Sequence, residues 1–408
     1  MPLQQNKMSA ATPCNRRVTN QSLTLTKLKS VTSKKIFITI PWFLPAFRAG
    51  GPIQSVANLV KEFKEGVIYF IFCGDTDLNG SALENVETDK WVSFNDHTKV
   101  WYCSPEKISD SLVKQVELLK PDLLFIIGIY SWHFNIVPLM FCKGTKKILS
   151  TRGMLHPGAL AQKKWKKKLY LWLFKLMEYH YKVAFHATDD EEANYISAYF
   201  GEPASVYIAG NFPNQTGILP MPKKEPGDLK LITIAIISPM KNILLVLEAL
   251  EKVSAIVQYD IYGPIKDEEY WNACKETIKA LPGNIRVHYH KEILPEDIKS
   301  VLAEAHVFIS PSKSENFGHA IYEALSAGRP VITSHFTPWN DLKEAKAGMN
   351  VSTDYTIEIT EAVEFFAAMD EVELELWGRG AFEYSQRAVE MEKVRGEYEE
   401  MFLGGPVM

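Results

Sequence analysis

Short runs of β-branched and aromatic residues recur along this chain, separated by stretches with helical spacing. Residues 35–40 (KIFITI) form the first run, and 67–73 (VIYFIFC), 122–128 (DLLFIIG) and 147–150 follow. Each is bounded by Gly, Pro or polar residues, which predicts a buried strand and not a helix segment. The mixed stretch 91–103 predicts one more strand. Residues 53–63 and 109–119 carry apolar positions at helical spacing between these runs. Repeated strand–helix units over residues 35–210 predict a doubly wound parallel sheet.

The pattern breaks at 213–229 (PNQTGILPMPKKEPGDL), where Pro, Gly and charge mark a linker. It resumes with strands at 230–237, 257–262 and 285–289, and helices at 243–253 and 295–305. Residues 306–342 (HVFISPSKSENFGHAIYEALSAGRPVITSHFTPWNDL) then read as strand, loop, helix, strand. The strand is 306–310, the polar loop 311–317 and the helix 319–327, with Gly328 as its C-terminal cap. Residues 361–368 read as helical. So do 372–388, although Gly378 and Gly380 weaken the helical signal there, and a last helix spans 391–402.

A length of 408 residues exceeds one ordinary core and predicts two domains. The reading divides the chain into a disordered extension (1–33), a first domain (34–212), the linker (213–229), a second domain (230–385) and a C-terminal helix returning to the first domain (386–408). Residues 1–33 are polar and lack the apolar run of a secretory signal. The net charge of −4 gives no overall field for nucleic acid. Cys14, Cys73, Cys103, Cys142 and Cys274 are odd in number and widely spaced, which suits a reducing cytoplasm. No apolar run reaches the roughly 18 residues expected of a membrane-spanning helix.

Candidate chemistry gathers at predicted strand ends, where α/β proteins bind ligands. Glu315 lies in a loop, and Glu323 sits just over a turn into the next helix. The amides of Phe317, Gly318 and His319 fall at that helix N-terminus, where the dipole favours a phosphate. Gly50 and Gly51 precede another helix and read either as a tight turn or as a place of close ligand approach. Asp75-Thr76-Asp77 has the form of an Asp-x-Asp metal motif but reads as an ordinary polar turn. Arg152 and His156 follow a strand end, where a histidine can orient or deprotonate a hydroxyl.

Lys163, Lys164, Lys166, Lys167 and Lys168 form a basic cluster that aromatic residues follow. One reading is an ordinary helix that buries Leu171, Phe174 and Leu176. The other is peripheral contact with an anionic membrane face.

The stretch E-NFGHAIY-E-ALSAGRPVI, with TPWNDL after it, resembles the signature of family 4 retaining glycosyltransferases. The GGP loop at 50–52 and the STRGMLHPGAL segment at 150–160 are similar to elements of that family, the latter in a bacterial polysaccharide branch. The resemblance implies a GT-B fold, an α/β architecture of two Rossmann-like domains facing a central cleft. It implies transfer of a sugar, with retention, from a nucleotide diphosphate sugar (UDP- or GDP-linked) to a glycan or lipid-linked acceptor. No cofactor or metal is implied.

On that resemblance Glu315 holds the donor sugar, Glu323 the ribose, and Lys241 the leaving diphosphate. Gly50, Gly51, Ser238, Gly263, Asn316, Phe317, Gly318 and His319 complete the donor side, and Arg152 and His156 stand on the acceptor side. One departure stands out. The family's arginine position, in SPMKN and the strand before it, is taken by Ile236. A catalytically weak sugar-nucleotide-binding partner in a glycan assembly complex is therefore the second reading. A GT-B sugar epimerase is the third.

Overall fold

The computed structural model describes residues 33–404, apart from 157–158, 161–163 and 202–204. The expected N-terminal extension and Lys163 lie outside the described residues, and of Lys164 only the backbone is described. The apolar runs pair into two sheets. The first contains β1 (Lys34–Thr39), β2 (Val67–Gly74), β3 (Trp91–Asn95), β4 (Thr98–Cys103), β5 (Leu123–Ile127), β6 (Lys146–Ser150), β7 (Ala184–Ala187) and β8 (Val206–Ile208). Its order is β3-β4-β2-β1-β5-β6-β7-β8, parallel throughout except for β3 and β4.

The second sheet contains β9 (Asp228–Ile234), β10 (Ile256–Tyr262), β11 (Ile285–Tyr289), β12 (Val307–Ser310), β13 (Val331–Ser334) and β14 (Gly348–Val351). Its order is β11-β10-β9-β12-β13-β14, and every pair is parallel. Strand order reverses between β1 and β5 in one lobe and between β9 and β12 in the other. Connections leave to opposite faces at such a point, so a crevice opens beyond the strand ends.

Alternation along each strand supplies both faces of each sheet. Ile36 and Ile38 pack with Val56, Leu59 and Val60 of helix Gly51–Glu62. Phe37 between them packs on the other face, with Leu112 and Val116 of helix Ile108–Leu119. In the second lobe Leu231 joins the core under helices Ile243–Leu250 and Thr356–Ala368. Ile232 joins Ile321 and Leu325 of helix His319–Ser326 and Ala381 of helix Glu371–Ala388.

Several expectations need correction. Residues 91–103 hold two strands, because Asn95-Asp96-His97 turns the chain back on itself and β3 pairs antiparallel with β4. The helix expected at 295–305 is a short turn followed by helix Ile298–Ala303. The helix expected at 372–388, by contrast, forms as Glu371–Ala388 and runs unbroken through Gly378 and Gly380. A Cβ at 378 would stand 2.7 Å from the Gly328 carbonyl oxygen, and one at 380 would stand 2.4 Å from that of Lys346. These glycines permit close packing and do not end the helix. Helix Lys164–Leu176 buries Leu171 and Phe174, but Leu176 is 63% exposed.

The segment between β8 and β9 has no helix or strand, yet it is docked. Lys224 is buried and donates to the carbonyls of Ala367 and Met369 at 2.9 and 2.8 Å. The last helix, Met391–Leu403, packs Tyr398, Met401 and Phe402 into the first lobe's core. Lys34 Nζ donates to the Leu403 carbonyl at 2.9 Å beside it. The two lobes are thus tied twice, at the linker and at the last helix.

Candidate functional site

The second lobe's half of the site grows from the end of β12. Ser312 Oγ donates to Glu315 Oε1 at 2.9 Å, and the Glu315 amide donates to the Phe336 carbonyl at 3.1 Å. The loop is therefore fixed before the helix begins. Gly318 caps helix His319–Ser326 with φ 76°, a conformation that a side chain disfavours. A Cβ there would stand 3.0 Å from Ile321 Cδ1. No side chain caps this helix, so its first amides lack intrahelical partners and border the cleft.

Lys241 lies in a turn just after β9, and its Nζ forms an ion pair with Glu315 Oε1. Ser238 starts that turn, its carbonyl accepting from the Lys241 amide at 3.0 Å. Gly263 ends β10 against β9. A Cβ there would fall 1.8 Å from the Ala235 carbonyl oxygen, so no larger residue fits. Ile236 crosses to the first lobe, where its Cδ1 would touch a Cβ on Gly50 at 3.4 Å.

Glu323 is 4% exposed and accepts one hydrogen bond, from Asn214 Nδ2 at 3.1 Å. Burial outweighs that bond and pushes its carboxyl up to about 7. A pair of vicinal hydroxyls would favour the ionised form by donating to it. Affinity for a ligand that presents such a pair is accordingly expected to rise about tenfold from pH 6 to pH 8, and Glu323→Gln to flatten that profile in calorimetry.

The same group lowers stability as pH rises. Its folded value lies above the ordinary one, so its contribution is complete below about 4.5 and lost through about 7. Glu323→Gln is expected to raise the thermal midpoint at pH 8, not at pH 4.

The first lobe presents helix Gly51–Glu62, capped by Gly50 and with Pro52 in its first turn. The loop before it is clamped by Asp77, which is buried and accepts from the amides of Phe47 and Arg48 at 3.2 and 3.3 Å. Arg48 continues across the cleft to Glu292 at 2.5 Å. Asp77 thus anchors a loop within the protein, as a turn residue does.

Arg152 follows β6 with φ 50°, and its side chain is buried. Nη1 donates to Asn211 Oδ1 at 2.7 Å. Nε and Nη2 are buried without a hydrogen bond of good geometry, although the Tyr398 hydroxyl lies near the guanidinium. His319 faces it. The His319 Nε2 contacts Ser55 Oγ at 2.9 Å across the cleft, and its Nδ1 has no partner. Burial first, and Arg152 second, push this imidazole down to about 3, so it is neutral.

One cavity of about 390 Å³ gathers most of these groups. Lys241, Gly263, Glu315, Asn316, Phe317, Gly318, His319 and Glu323 line it from the second lobe, and Gly50, Gly51 and Arg152 from the first. Ser238 is not among its lining residues. Arg152, expected on the acceptor side, shares this cavity with Lys241 and Glu315. The left-handed turn at 152–153 is what carries its side chain there.

His156 lines a smaller pocket of about 200 Å³, 3.3 Å from Ser314 Oγ. Asn316 reaches Thr188 Oγ1 at 2.8 Å on the facing lobe.

A second cavity of about 670 Å³ continues from the first past Ile236, under the ends of β1 and β5. Trp42, Tyr130, Phe134 and Met154 make its walls, and Lys266 enters from the second lobe. Asp75 lines it with Oδ1 buried and unpaired, and burial raises its carboxyl.

Among the described residues one group could surround a metal ion: Asp260 on β10, His288 on β11 and His290 just past it. None of the three lines either cavity.

Sequence reading missed Arg48, Asn214 and Ser55. Arg48 and Ser55 gain meaning only from the facing lobe. Asn214 sits in the Pro- and Gly-rich linker, where the only available signal was for a turn.

Residues 218–371 match the model of a family described as glycosyl transferases group 1. No curated protein matches the chain by sequence. Among solved structures, HepE from Anabaena, solved with UDP and glucose, is similar with a TM-score of 0.69. Identity is 14%, over 91% of this chain and 100% of that one. Sucrose-phosphate synthase from Thermosynechococcus elongatus gives 0.69 at 16% identity, with coverage of 91% and 100%. A TarM mutant from S. aureus, solved with fondaparinux, alpha-GlcNAc-glycerol and UDP, gives 0.65 at 14%, with coverage of 90% and 99%. This chain has the GT-B fold, and the match to group 1 glycosyl transferases falls on its second lobe.

Proposed function

We propose that this protein is a glycosyltransferase that moves a sugar from a nucleotide diphosphate sugar to a glycan or lipid-linked acceptor. One observation carries the reading. The Lys241–Glu315 pair, a helix N-terminus at Gly318 that no side chain caps and the buried Glu323 converge on a single cavity between two lobes. That set matches a nucleotide sugar group by group. Glu323 suits the ribose diol. The amides at 317–319 and Lys241 suit a diphosphate. Glu315 suits sugar hydroxyls once Lys241 turns to the phosphate.

Arg152 supplies a second cation from the opposite lobe. Its two unpaired donors suit the same diphosphate, and it stands in for the arginine that Ile236 replaces. The 670 Å³ cavity suits the acceptor. We assign the chain to the retaining family 4 type, with no metal in the step. The bond from the anomeric carbon to phosphate breaks as the acceptor oxygen bonds on the same face. The departing phosphate oxygen takes the acceptor proton. Lys241 and Arg152 stabilise the charge that develops there.

A panel of UDP- and GDP-sugars tests this. The true donor, at about 100 times its Kd, is expected to add about 2.7 kcal/mol of stability and raise the unfolding midpoint. Free nucleoside diphosphate should then accumulate with acceptor present, and EDTA should not prevent it. No stabilisation by any nucleotide sugar overturns the reading.

Ile236 motivates a second reading, a partner that binds the nucleotide sugar with little turnover. Stabilisation by a donor without transfer to any of a broad acceptor set distinguishes it.

A further inference from the structure

We propose that the outer face of helix Lys164–Leu176 docks this protein on an anionic lipid bilayer. The helix has two apolar faces, and the core uses only one. Leu171 and Phe174 are buried, with Tyr170 beside them. Trp165, Leu169, Trp172, Leu173 and Leu176 are exposed, Trp165 at 69% and Trp172 at 58%. Their spacing of four, three, one and three residues places them on one stripe about 100° wide at about 100° per residue. Met177 and Tyr181 extend the exposed surface past the helix end.

The flanks of the stripe point to the occupant. By the same helical geometry Lys166 borders one side, and Lys168 and Lys175 border the other. All three are exposed, as is Lys182 beyond the helix; Glu178 is the acidic residue nearby. Aromatic and aliphatic side chains between two rows of lysines fit the boundary of an anionic bilayer. Rings and leucines enter it while ammonium groups stay with the lipid phosphates. This concentration of positive charge stands in a chain whose net charge is −4. No helix among the described residues is long and apolar enough to cross a membrane, so the contact is peripheral.

The docking face also has a place relative to the site. Tyr170 meets Tyr130 at 5.4 Å between ring centroids, and Lys167 lies over the Tyr130 ring at 5.2 Å. Tyr130 lines the 670 Å³ cavity. A bilayer on the outer face of this helix therefore lies one helix away from the wall of that cavity. That arrangement suits an acceptor whose tail stays in lipid. Only this last step rests on the transferase reading; the docking itself does not.

The test is co-sedimentation with vesicles of equal parts phosphatidylglycerol and phosphatidylcholine, at low and high salt. Binding is expected at low salt, with a blue shift of tryptophan emission and roughly tenfold weaker binding to pure phosphatidylcholine. Trp172→Ser with Leu176→Ser should weaken binding roughly tenfold or more. Lys166→Gln, Lys168→Gln and Lys175→Gln together should remove the preference for anionic lipid. All five positions are exposed, so the unfolding midpoint should not move.

Absence of wild-type binding at low salt overturns the inference, as does wild-type binding by both variants. If the serine variant instead converts a lipid-indifferent dimer into a monomer, the face belongs to a second copy of the chain. Nucleotide binding is measured without vesicles, so failure of docking and failure of the transferase reading are told apart.

Discussion

Lys241→Ala is expected to lower turnover with a nucleotide sugar roughly 100- to 1,000-fold while the protein remains folded. Negative charge develops on one oxygen during the reaction. The bond between sugar and diphosphate is neutral at its bridging oxygen before cleavage and leaves an anion after it. A cation beside that oxygen gains attraction as the bond stretches, so it stabilises the transition state more than the bound donor. Lys241 is held ready by Glu315, and the pair is only part-buried. An ion pair of that kind contributes about 1 kcal/mol or less to folding.

The expected signature is therefore a large fall in kcat with a small change in thermal midpoint. Glu315→Gln separates the two partners. It keeps the side chain's shape, frees Lys241 and removes an acceptor for sugar hydroxyls. It is expected to weaken the intact donor more than the bare nucleoside diphosphate. Equal loss for both ligands would show that Glu315 acts only by placing Lys241.

Much of this site was legible because its parts are local. The strand end, the loop, Gly318 and the following helix lie within one short stretch, and their chemistry follows from backbone geometry. Gly263 was legible as a turn, although what requires a glycine there, the Ala235 carbonyl, lies just past the end of another strand. What sequence could not supply was everything fixed by the meeting of the lobes. Ser55 against His319, Arg48 against Glu292 and Asn316 against Thr188 join residues more than a hundred positions apart.

The same limit shows in the fold. The helix expected at 372–388 forms, but Gly378 and Gly380 weakened its signal, because the loops they pack against could not be seen. Leu176 reads as core by its chemistry. Exposure is a property of the whole surface, and no periodicity separates a buried stripe from an unpaired one on the same helix.

Arg152→Met is expected to raise the dissociation constant for UDP or GDP by roughly 10- to 100-fold, with little change for the matching nucleoside. Arg152 stands 8% exposed beside the first cavity, with Asn211 as its acceptor, the neutral Tyr398 hydroxyl nearby, and Nε and Nη2 without a hydrogen bond of good geometry. A buried cation in that condition is costly, and a diphosphate in the cavity would satisfy it. Hydrogen bonds to a charged partner are worth about 1.5–3 kcal/mol, which sets the expected loss.

Stability should move the other way. Replacing a buried charge with an apolar side chain of similar length is often neutral or stabilising, and the groups that lose it, Asn211 Oδ1 and the Tyr398 hydroxyl, are both neutral. The variant should thus bind diphosphate poorly and melt no lower than the wild type. A lower midpoint with unchanged UDP and GDP affinity would make Arg152 a structural strut to Asn211. A loss shared equally by nucleoside and nucleoside diphosphate would show that the cleft itself had deformed. The charge should also matter most in the last step. A group from the first lobe that holds a phosphate on the second lobe makes donor binding and lobe closure one event. Salt that screens open surfaces should then weaken wild-type binding little, because the closed cavity excludes it.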